Sequence, residues 1–355
     1  MIQLLYHISI FRTNVIESAE SVKQICKDQS KNPSGLAPVL LELSDLFMRM
    51  KPHLEMDGVK YRVPVVSPKT LLHRVQRCYP EFASQLRQHD AHEFLASLLN
   101  GIAEELHRVF PKPEGSAHCC FIHDLFQGEN ISLMQCCGCD SVRDSKETFL
   151  NLDIDLAGED STEKYLGDLL ENRQHLELMK GDERVFCESC HCLQETTRRV
   201  LIDADNIPPV LLIQLKRFKY DAAGGLSKMS DKIIFPQTLV LQKGEDEKVF
   251  YDLVGCVVHI GRSLDSGHYV SVCKTVSRWC LFNDDYVLSV DDTWLRKIYG
   301  GRVVVQDGTE AKVFKSHAYL LAYVRADKLG DEVDHNGVHA FEITASTTRA
   351  ATSVK

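Results

Sequence analysis

Two Cys-x-x-Cys pairs constrain this chain more than any other feature of its sequence. Cys136 and Cys139 form the first pair, and Cys187 and Cys190 form the second. Two thiolates at this spacing turn around one metal ion, and two such turns complete the tetrahedral shell of four sulfur ligands that zinc accepts. The segment between the pairs is too long for a compact zinc ribbon, so the ion would join two separate hairpins. We therefore predict a structural zinc site.

The residues around these pairs leave the ligand set open. Cys137 and Cys192 are adjacent to the candidate ligands, and His191 is a possible substitute for one thiolate. The alternative interpretation is that the cysteines are ordinary core or surface thiols. A doubled motif in strand-rich sequence favours the metal site, whereas a single motif would be weak.

The composition is that of an ordinary soluble protein whose thiols stay reduced. Of its 355 residues, 44% are hydrophobic and 26% are charged, and the formal net charge is −9. This acidic balance argues against a nucleic-acid partner and favours a partner with a basic face. No apolar run is long enough for a transmembrane helix, so no membrane association is expected. Thirteen cysteines without a convincing signal peptide predict a location in the cytosol or the nucleus.

The secondary-structure pattern changes along the chain from helical to strand-rich. Three early segments have helical periodicity: residues 1–18, 36–50 and 68–110. From about residue 125 short strands appear, interrupted by one helical stretch at 161–174, and from 197 onward β-branched runs dominate. Beyond about Asp327 the chain is polar and rich in small residues, which predicts a disordered tail. Helices followed by mostly antiparallel strands predict an α+β protein.

A histidine at the start of a predicted strand is the first candidate for catalysis. His268 follows Ser266 and Gly267 and precedes a run that alternates as a strand does. The next strand ends in Asn283, Asp284 and Asp285, on a hairpin that returns beside the first strand. An amide or carboxylate there would hold one ring nitrogen and leave the other free to act as a base. The alternatives are a structural histidine and a solvated turn.

Six stretches together resemble the ubiquitin-specific proteases, papain-like cysteine peptidases that cut ubiquitin from its conjugates. They follow the order of that family across roughly residues 1 to 325: RQHDAHEFLASLL (87–99), PPVLLIQLKRFKYD (208–221), DLVGCVVHIG (252–261), DSGHYVSVCK (265–274), WCLFNDDYV (279–287) and HAYLLAYVR (317–325). The paired cysteine motifs match the zinc site of the family's fingers. The run from FCESCHCLQETTRRV to LRKIYGG resembles most the branch that is activated by WD-repeat partners.

The resemblance implies an α+β, papain-like fold with a helical thumb, zinc-binding β fingers and a β-sheet palm. The thumb would span about residues 1–124, the fingers about 125–207 and the palm about 208–325, with a disordered tail at 326–355. It also implies thiol-dependent hydrolysis at the carboxyl terminus of ubiquitin. Ubiquitin and ubiquitinated proteins would be the partners, with a WD-repeat activator as a further one.

Site residues of the family carry over to matching positions of this chain. His268 matches the catalytic histidine, Asn283 matches the third triad position, and Asp284 matches its acidic neighbour. Asp90 and Tyr269 match positions near the ubiquitin tail.

The nucleophile of the family has no match in this sequence. In the family it lies in an Asn-x-Cys-Tyr-x-Asn-Ser segment just before an apolar helix, and MIQLLYHISIFR matches that helix with Gln3 and Leu5 in place. The cysteine would therefore precede Met1 by about five residues, where a helix start lowers the pKa of a thiol. We expect the 355-residue chain to be an incomplete catalyst. Two alternatives stay open: a ubiquitin-binding pseudoprotease, and a zinc-dependent interaction module with no role towards ubiquitin.

Overall fold

The computed structural model of the chain describes most of the sequence between residues 1 and 329. The described ranges are 1–28, 33–51, 55–57, 60–62, 65–83, 89–111, 120–156, 163–220, 226–243, 247–261, 267–275, 278–300, 302–303, 312–313 and 316–329. Within them the chain is mostly helical up to residue 126 and mostly strand thereafter, which confirms the predicted α+β class. No helix in these ranges combines the length and the apolar character needed to span a bilayer. The predicted disordered tail lies largely outside the described residues.

The helices form where apolar residues recur every three or four positions. Their bounds are α1 Ile2–His7, α2 Ser9–Asp28, α3 Pro33–Leu36, α4 Pro38–Met50, α5 Lys69–Cys78, α6 Ala91–Val109, α7 Phe121–Phe126, α8 Leu166–Asn172 and α9 Asp292–Lys297. The segment predicted as one helix at residues 1–18 is two, because Ile8 has an extended backbone between α1 and α2. The segment predicted as helical at 161–174 is helical only from Leu166 onward.

The strands form one large sheet and several smaller ones. Their bounds are β1 Glu55–Asp57, β2 Lys60–Arg62, β3 Gly128–Cys136, β4 Val142–Phe149, β5 Leu152–Asp155, β6 Glu163–Tyr165, β7 Glu177–Met179, β8 Val185–Cys187, β9 Cys192–Gln194, β10 Thr196–Ile202, β11 Val210–Lys216, β12 Phe218–Tyr220, β13 Leu226–Lys228, β14 Lys232–Ile234, β15 Thr238–Lys243, β16 Glu247–Ile260, β17 His268–Lys274, β18 Trp279–Asn283, β19 Tyr286–Val290, β20 Arg302–Val303, β21 Lys312–Val313 and β22 Ser316–Arg325.

The large sheet has the order β19-β18-β17-β16-β22-β11-β5, with β15 paired to the outer part of β16. Its pairs are antiparallel apart from β5, which runs parallel to β11. Strand β5 falls in the range predicted for the fingers, so that range contributes one strand to the large sheet. A separate four-stranded sheet has the order β4-β3-β10-β7. The two-stranded hairpin of β8 and β9 lies between β7 and β10 in the chain and carries Cys187.

Both faces of the central strands of the large sheet are buried, which explains the continuous apolar runs in β11, β16, β17 and β22. Along β22, Leu320 belongs to a core shared with the helices, and the next residue, Leu321, belongs to a second core on the opposite face. Helix α1 packs on β16 and β17. A glycine permits this close approach, because a Cβ at Gly255 would lie 2.7 Å from Leu4 Cδ1. The sheet therefore carries β17 directly beneath the first helix.

Helix α4 has no capping side chain of its own, and a carboxylate from α6 takes that role. Glu105 is 2% exposed, and its two oxygens accept hydrogen bonds from the backbone N–H of Val39 at 3.0 Å and of Leu40 at 2.9 Å. The first N–H groups of a helix have no partner within the helix. Burial raises the pKa of Glu105, so the charged carboxylate depends on these two donors.

We expect Glu105→Gln to lower the free energy of unfolding by about 2 kcal/mol. The amide leaves one buried N–H facing another N–H, so a donor loses its acceptor. Urea denaturation measures the change, and Glu104→Gln provides the control because Glu104 is exposed on the same helix. An equal loss of stability in both variants would show that Glu105 does not act as the cap.

Candidate active site and metal site

His268 is the first residue of β17 and lies beside the last residue of β18. Its Nε2 is 2.7 Å from Asn283 Oδ1. The two strands pair antiparallel, with Ser271 opposite Phe282, and this pairing brings their ends together. An amide oxygen only accepts hydrogen bonds, so Nε2 carries the proton of the neutral ring and Nδ1 has the free lone pair. The arrangement can therefore take up a proton at Nδ1.

Asp284 is a second partner of the same ring nitrogen. It occupies the turn between β18 and β19 with a left-handed backbone, φ 51°, a conformation that aspartate tolerates better than most residues. Its Oδ2 lies 3.5 Å from His268 Nε2, and its side chain is 75% exposed. Asn283 is thus the closer, more buried partner. The Asp284 carboxylate lies where it would stabilise a protonated imidazole.

Asp90 joins α6 to the large sheet through both of its oxygens. Oδ1 accepts from the N–H of His92 at 2.8 Å and of Glu93 at 3.1 Å, which caps the helix. Oδ2 accepts from the hydroxyls of Tyr319 at 2.6 Å and of Tyr269 at 3.2 Å. Burial, followed by the Asp90 charge, raises the pKa of both tyrosines. The two residues predicted near the ubiquitin tail therefore contact each other directly.

Tyr319 and Gln214 are part of this network, and sequence analysis did not identify them. Gln214 Nε2 donates to the Tyr319 hydroxyl at 2.9 Å, and that hydroxyl donates to Asp90. Both residues lie within the quoted family stretches, at polar positions in apolar strands. Their polar character in apolar strands could have marked Gln214 and Tyr319 as candidate site residues. Strand alternation alone does not show which side chains they contact.

None of the described cysteines is hydrogen-bonded to His268. Within the described residues, the polar partners of His268 are the side chains of Asn283 and Asp284. Cys273 lies five positions along β17 from His268, roughly 17 Å away at the usual rise of a strand. It is opposite Cys280, and both side chains are buried. Burial raises the pKa of Cys273 to about 12. Neither thiol is placed to serve as a nucleophile for His268.

The four cysteines predicted to bind metal lie together. Their sulfur atoms are all within 4.8 Å of one another, with 3.9 Å between Cys136 and Cys190 and 3.6 Å between Cys139 and Cys187. A tetrahedral ion with zinc–sulfur bonds of about 2.3 Å requires sulfur atoms about 3.8 Å apart. The cluster therefore fits one tetrahedral ion of that size.

The two cysteine turns have the same shape. The residue after the second cysteine has a left-handed backbone in each turn, with φ 57° at Asp140 and φ 54° at His191. Cys137 and Cys192 are exposed and lie outside the cluster, as does His191. A hydrogen bond from the Ser141 hydroxyl is the main reason that the pKa of Cys187 falls to about 6. One thiolate thus forms readily, and a bound cation would favour the other three.

Known proteins resemble this chain in sequence along nearly its whole length. Residues 1–323 match the ubiquitin carboxyl-terminal hydrolase family. The chain is 29% identical to ubiquitin carboxyl-terminal hydrolase 4 of Arabidopsis thaliana over 91% of its own length and 88% of that protein. It is 32% identical to ubiquitin carboxyl-terminal hydrolase 13 of Saccharomyces cerevisiae over 77% of its own length, but it spans only 37% of that protein.

Solved structures of deubiquitinating modules have a similar fold. The SAGA Ubp8/Sgf11/Sus1/Sgf73 DUB module bound to ubiquitin aldehyde matches with a TM-score of 0.69 at 25% identity, over 91% of this chain and 66% of that one. A second structure of the SAGA DUB module, bound to monoubiquitin, matches with a TM-score of 0.66 at 25% identity, over 91% and 65%. These matches confirm the predicted ubiquitin-specific protease fold. The chain belongs to the ubiquitin carboxyl-terminal hydrolase family of deubiquitinating thiol hydrolases.

Proposed function

We propose that this protein is a deubiquitinating cysteine protease in which His268 is the general base and Asn283 orients it. The hydrogen bond of 2.7 Å between His268 Nε2 and Asn283 Oδ1 is the observation that supports this most. Nδ1 would take the proton of a thiol and later return it to the leaving amine. Asp284 would stabilise the imidazolium between these two steps, because its carboxylate lies close to the same ring.

By its resemblance to the family, the thiol in this proposal precedes helix α1, and it is none of the cysteines that the structure describes. The absence of contact between His268 and any described cysteine supports this, as does the burial of Cys273 and Cys280. The second candidate function, a ubiquitin-binding protein without turnover, is supported by the same observation. Reaction of a cysteine with an electrophilic ubiquitin distinguishes the two candidate functions, since only a protein that contains the catalytic thiol would react.

Ubiquitin and ubiquitinated proteins are the partners we propose. The two similar solved structures hold ubiquitin or ubiquitin aldehyde, and the net charge of −9 suits the basic tail of ubiquitin. Asp90 and Tyr269 would line the path of that tail, with Asp90 held in place by the tyrosine hydroxyls. A WD-repeat activator and a location in the cytosol or nucleus complete the proposal, and both rest on sequence alone.

Zinc is the ion we propose for the cluster of four cysteines. Thiolate ligands in a closed tetrahedral set are typical of structural zinc, which has no open position for substrate. The ion would hold the turn after β3 and the hairpin of β8 and β9 together. Its role would be to stabilise this part of the chain, away from the candidate base.

The 355-residue chain is expected to bind ubiquitin without reacting with it. Titration with ubiquitin should give binding that weakens as salt is raised, because opposite charges contribute to association. Ubiquitin propargylamide, which forms a thioether with a catalytic cysteine, should leave the chain unmodified. Absence of binding would contradict the proposed function. A thioether that mass spectrometry maps to Cys273 or another internal cysteine would contradict the proposed origin of the nucleophile.

A further inference from the structure

A half-buried lysine outside the candidate triad donates to three acceptors near the start of β17. Lys228 is the last residue of β13, and its Nζ lies 2.7 Å from His259 Nδ1. It also lies 3.3 Å from the carbonyl oxygen of His259 and 2.9 Å from that of Gly261. A lysine ammonium has three N–H donors and no acceptor. The charged form of Lys228 therefore satisfies all three acceptors at once.

Burial lowers the pKa values of both Lys228 and His259, the two partners of this hydrogen bond. Burial, and then the charge of Lys228, lower the pKa of the fully buried His259 to about 4. Burial, and then the charge of Arg217, lower the pKa of Lys228 to about 7. The imidazole is therefore neutral, accepts at Nδ1 and carries its proton on Nε2. Removal of the lysine amine would take away the donor that the buried His259 Nδ1 has in this structure.

His259 contacts the residues on both sides of His268. It is opposite Tyr269 in the pair of β16 and β17, with ring centroids 4.9 Å apart. A Cβ on Gly267 would lie 2.3 Å from His259 Nε2, so only glycine fits there. Ile260, the neighbour of His259, is the strand partner of His268. A shift of the His259 ring would therefore move the backbone that carries His268.

We propose that Lys228 is a positioning residue for the general base, because it clamps the end of β16 against which β17 presents His268. This inference rests on the proposed role of His268. The clamp also links the hairpin of β12 and β13 to Gly261 at the end of β16, so the docking of that hairpin controls where the imidazole lies. Placement matters to this degree because a misplacement of about 1 Å can cost about a hundredfold in rate.

The test compares Lys228→Met with Lys219→Met in the 355-residue chain labelled with ¹⁵N-histidine. Lys219 is exposed on the same hairpin, so its substitution removes the same charge without the three contacts. In Lys228→Met we expect the ring signals of His268 to shift. Amide hydrogen exchange at Ile260 and His268 should accelerate about tenfold. Lys219→Met should retain the wild-type signals and rates.

Exchange in the middle of β17 distinguishes a local clamp from general loosening. At Val272 the rate in Lys228→Met should stay within about twofold of wild type. Unchanged His268 signals, or an equal acceleration at Val272, would overturn the proposal. If Lys228→Met does not unfold cooperatively, Lys228→Gln replaces it in the test, because the glutamine amide retains two N–H donors for the three acceptors. Wild-type His268 signals in the folded Lys228→Gln variant would also overturn the proposal. Titration of the wild-type chain with ubiquitin tests the proposed function separately.

Discussion

Replacement of Cys187 by serine is expected to release the metal ion and to open the part of the chain that the ion holds, while the large sheet stays folded. Among the described residues, no apolar core supports this region in place of the ion. Phe186 and Leu193 are opposite each other in the β8–β9 hairpin, and both are about half exposed, at 52% and 54%. Binding of a structural ion therefore supplies much of the folding free energy here.

Metal content and limited proteolysis measure this effect. Wild type should contain one zinc ion per chain, and Cys187→Ser should contain much less. Cleavage around β8 and β9 should be faster by about tenfold or more in the variant, whereas the large sheet should retain its cooperative unfolding. Cys192→Ser is the matched control, because Cys192 is exposed and lies outside the cluster. Normal zinc content in Cys187→Ser, or equal damage in Cys192→Ser, would rule out the proposed ligand set.

Arg217→Met is expected to lower the free energy of unfolding by about 3 kcal/mol. The Arg217 side chain is fully buried and donates to four backbone carbonyl groups: Ala318 at 2.6 Å, Asp231 at 3.0 Å, Met229 at 3.3 Å and Tyr299 at 3.4 Å. These carbonyls come from three separate segments, so the guanidinium connects them. Burial lowers the pKa of Arg217 to about 9, which reflects the cost of placing its charge there.

Methionine removes that cost but also removes the guanidinium from four carbonyl groups, of which that of Tyr299 has a second donor, the N–H of Ile233 at 2.9 Å. The loss of these hydrogen bonds is the larger effect. The midpoint of urea denaturation measures the sum. Lys216→Met is the control, since Lys216 is the adjacent cation, is 49% exposed and only approaches Asp153 at 3.6 Å. We expect it to cost less than about 0.5 kcal/mol. If Arg217→Met were as stable as Lys216→Met, the carbonyl contacts would not stabilise the fold.

Local patterns were sufficient to predict the hairpin of the candidate site. His268 and Asn283 are joined by a short connection, so strand alternation and register bring them together without information from the rest of the chain. The cysteine pairs were predictable for a similar reason, because each turn is local and one ion demands that the two turns meet. The catalytic roles of His268 and Asn283, and the metal-binding role of the cysteines, are still predictions.

Contacts between distant segments were not predictable from the sequence. Asp90 and Tyr319 meet across α6 and β22, and Lys228 on the hairpin of β12 and β13 meets His259 on β16. The break at Ile8 has no glycine or proline to indicate it, and the apolar pattern continues through it. Residues 163–165 were predicted as helical, but they pair with β14 instead, since tertiary pairing overrides a weak local preference.

The packing of α1 on β16 and β17 determines when this protein can finish folding. Leu4 and Leu320 share one core, although they are near opposite ends of the described chain. A ribosome adds about 5 to 20 residues per second, so α1 waits on the order of 15 to 60 seconds for its partner strands to be made. Contacts of such long sequence separation form slowly even afterwards. During synthesis the apolar faces of α1 and α2 are therefore exposed, and the nascent chain is a natural client for chaperones.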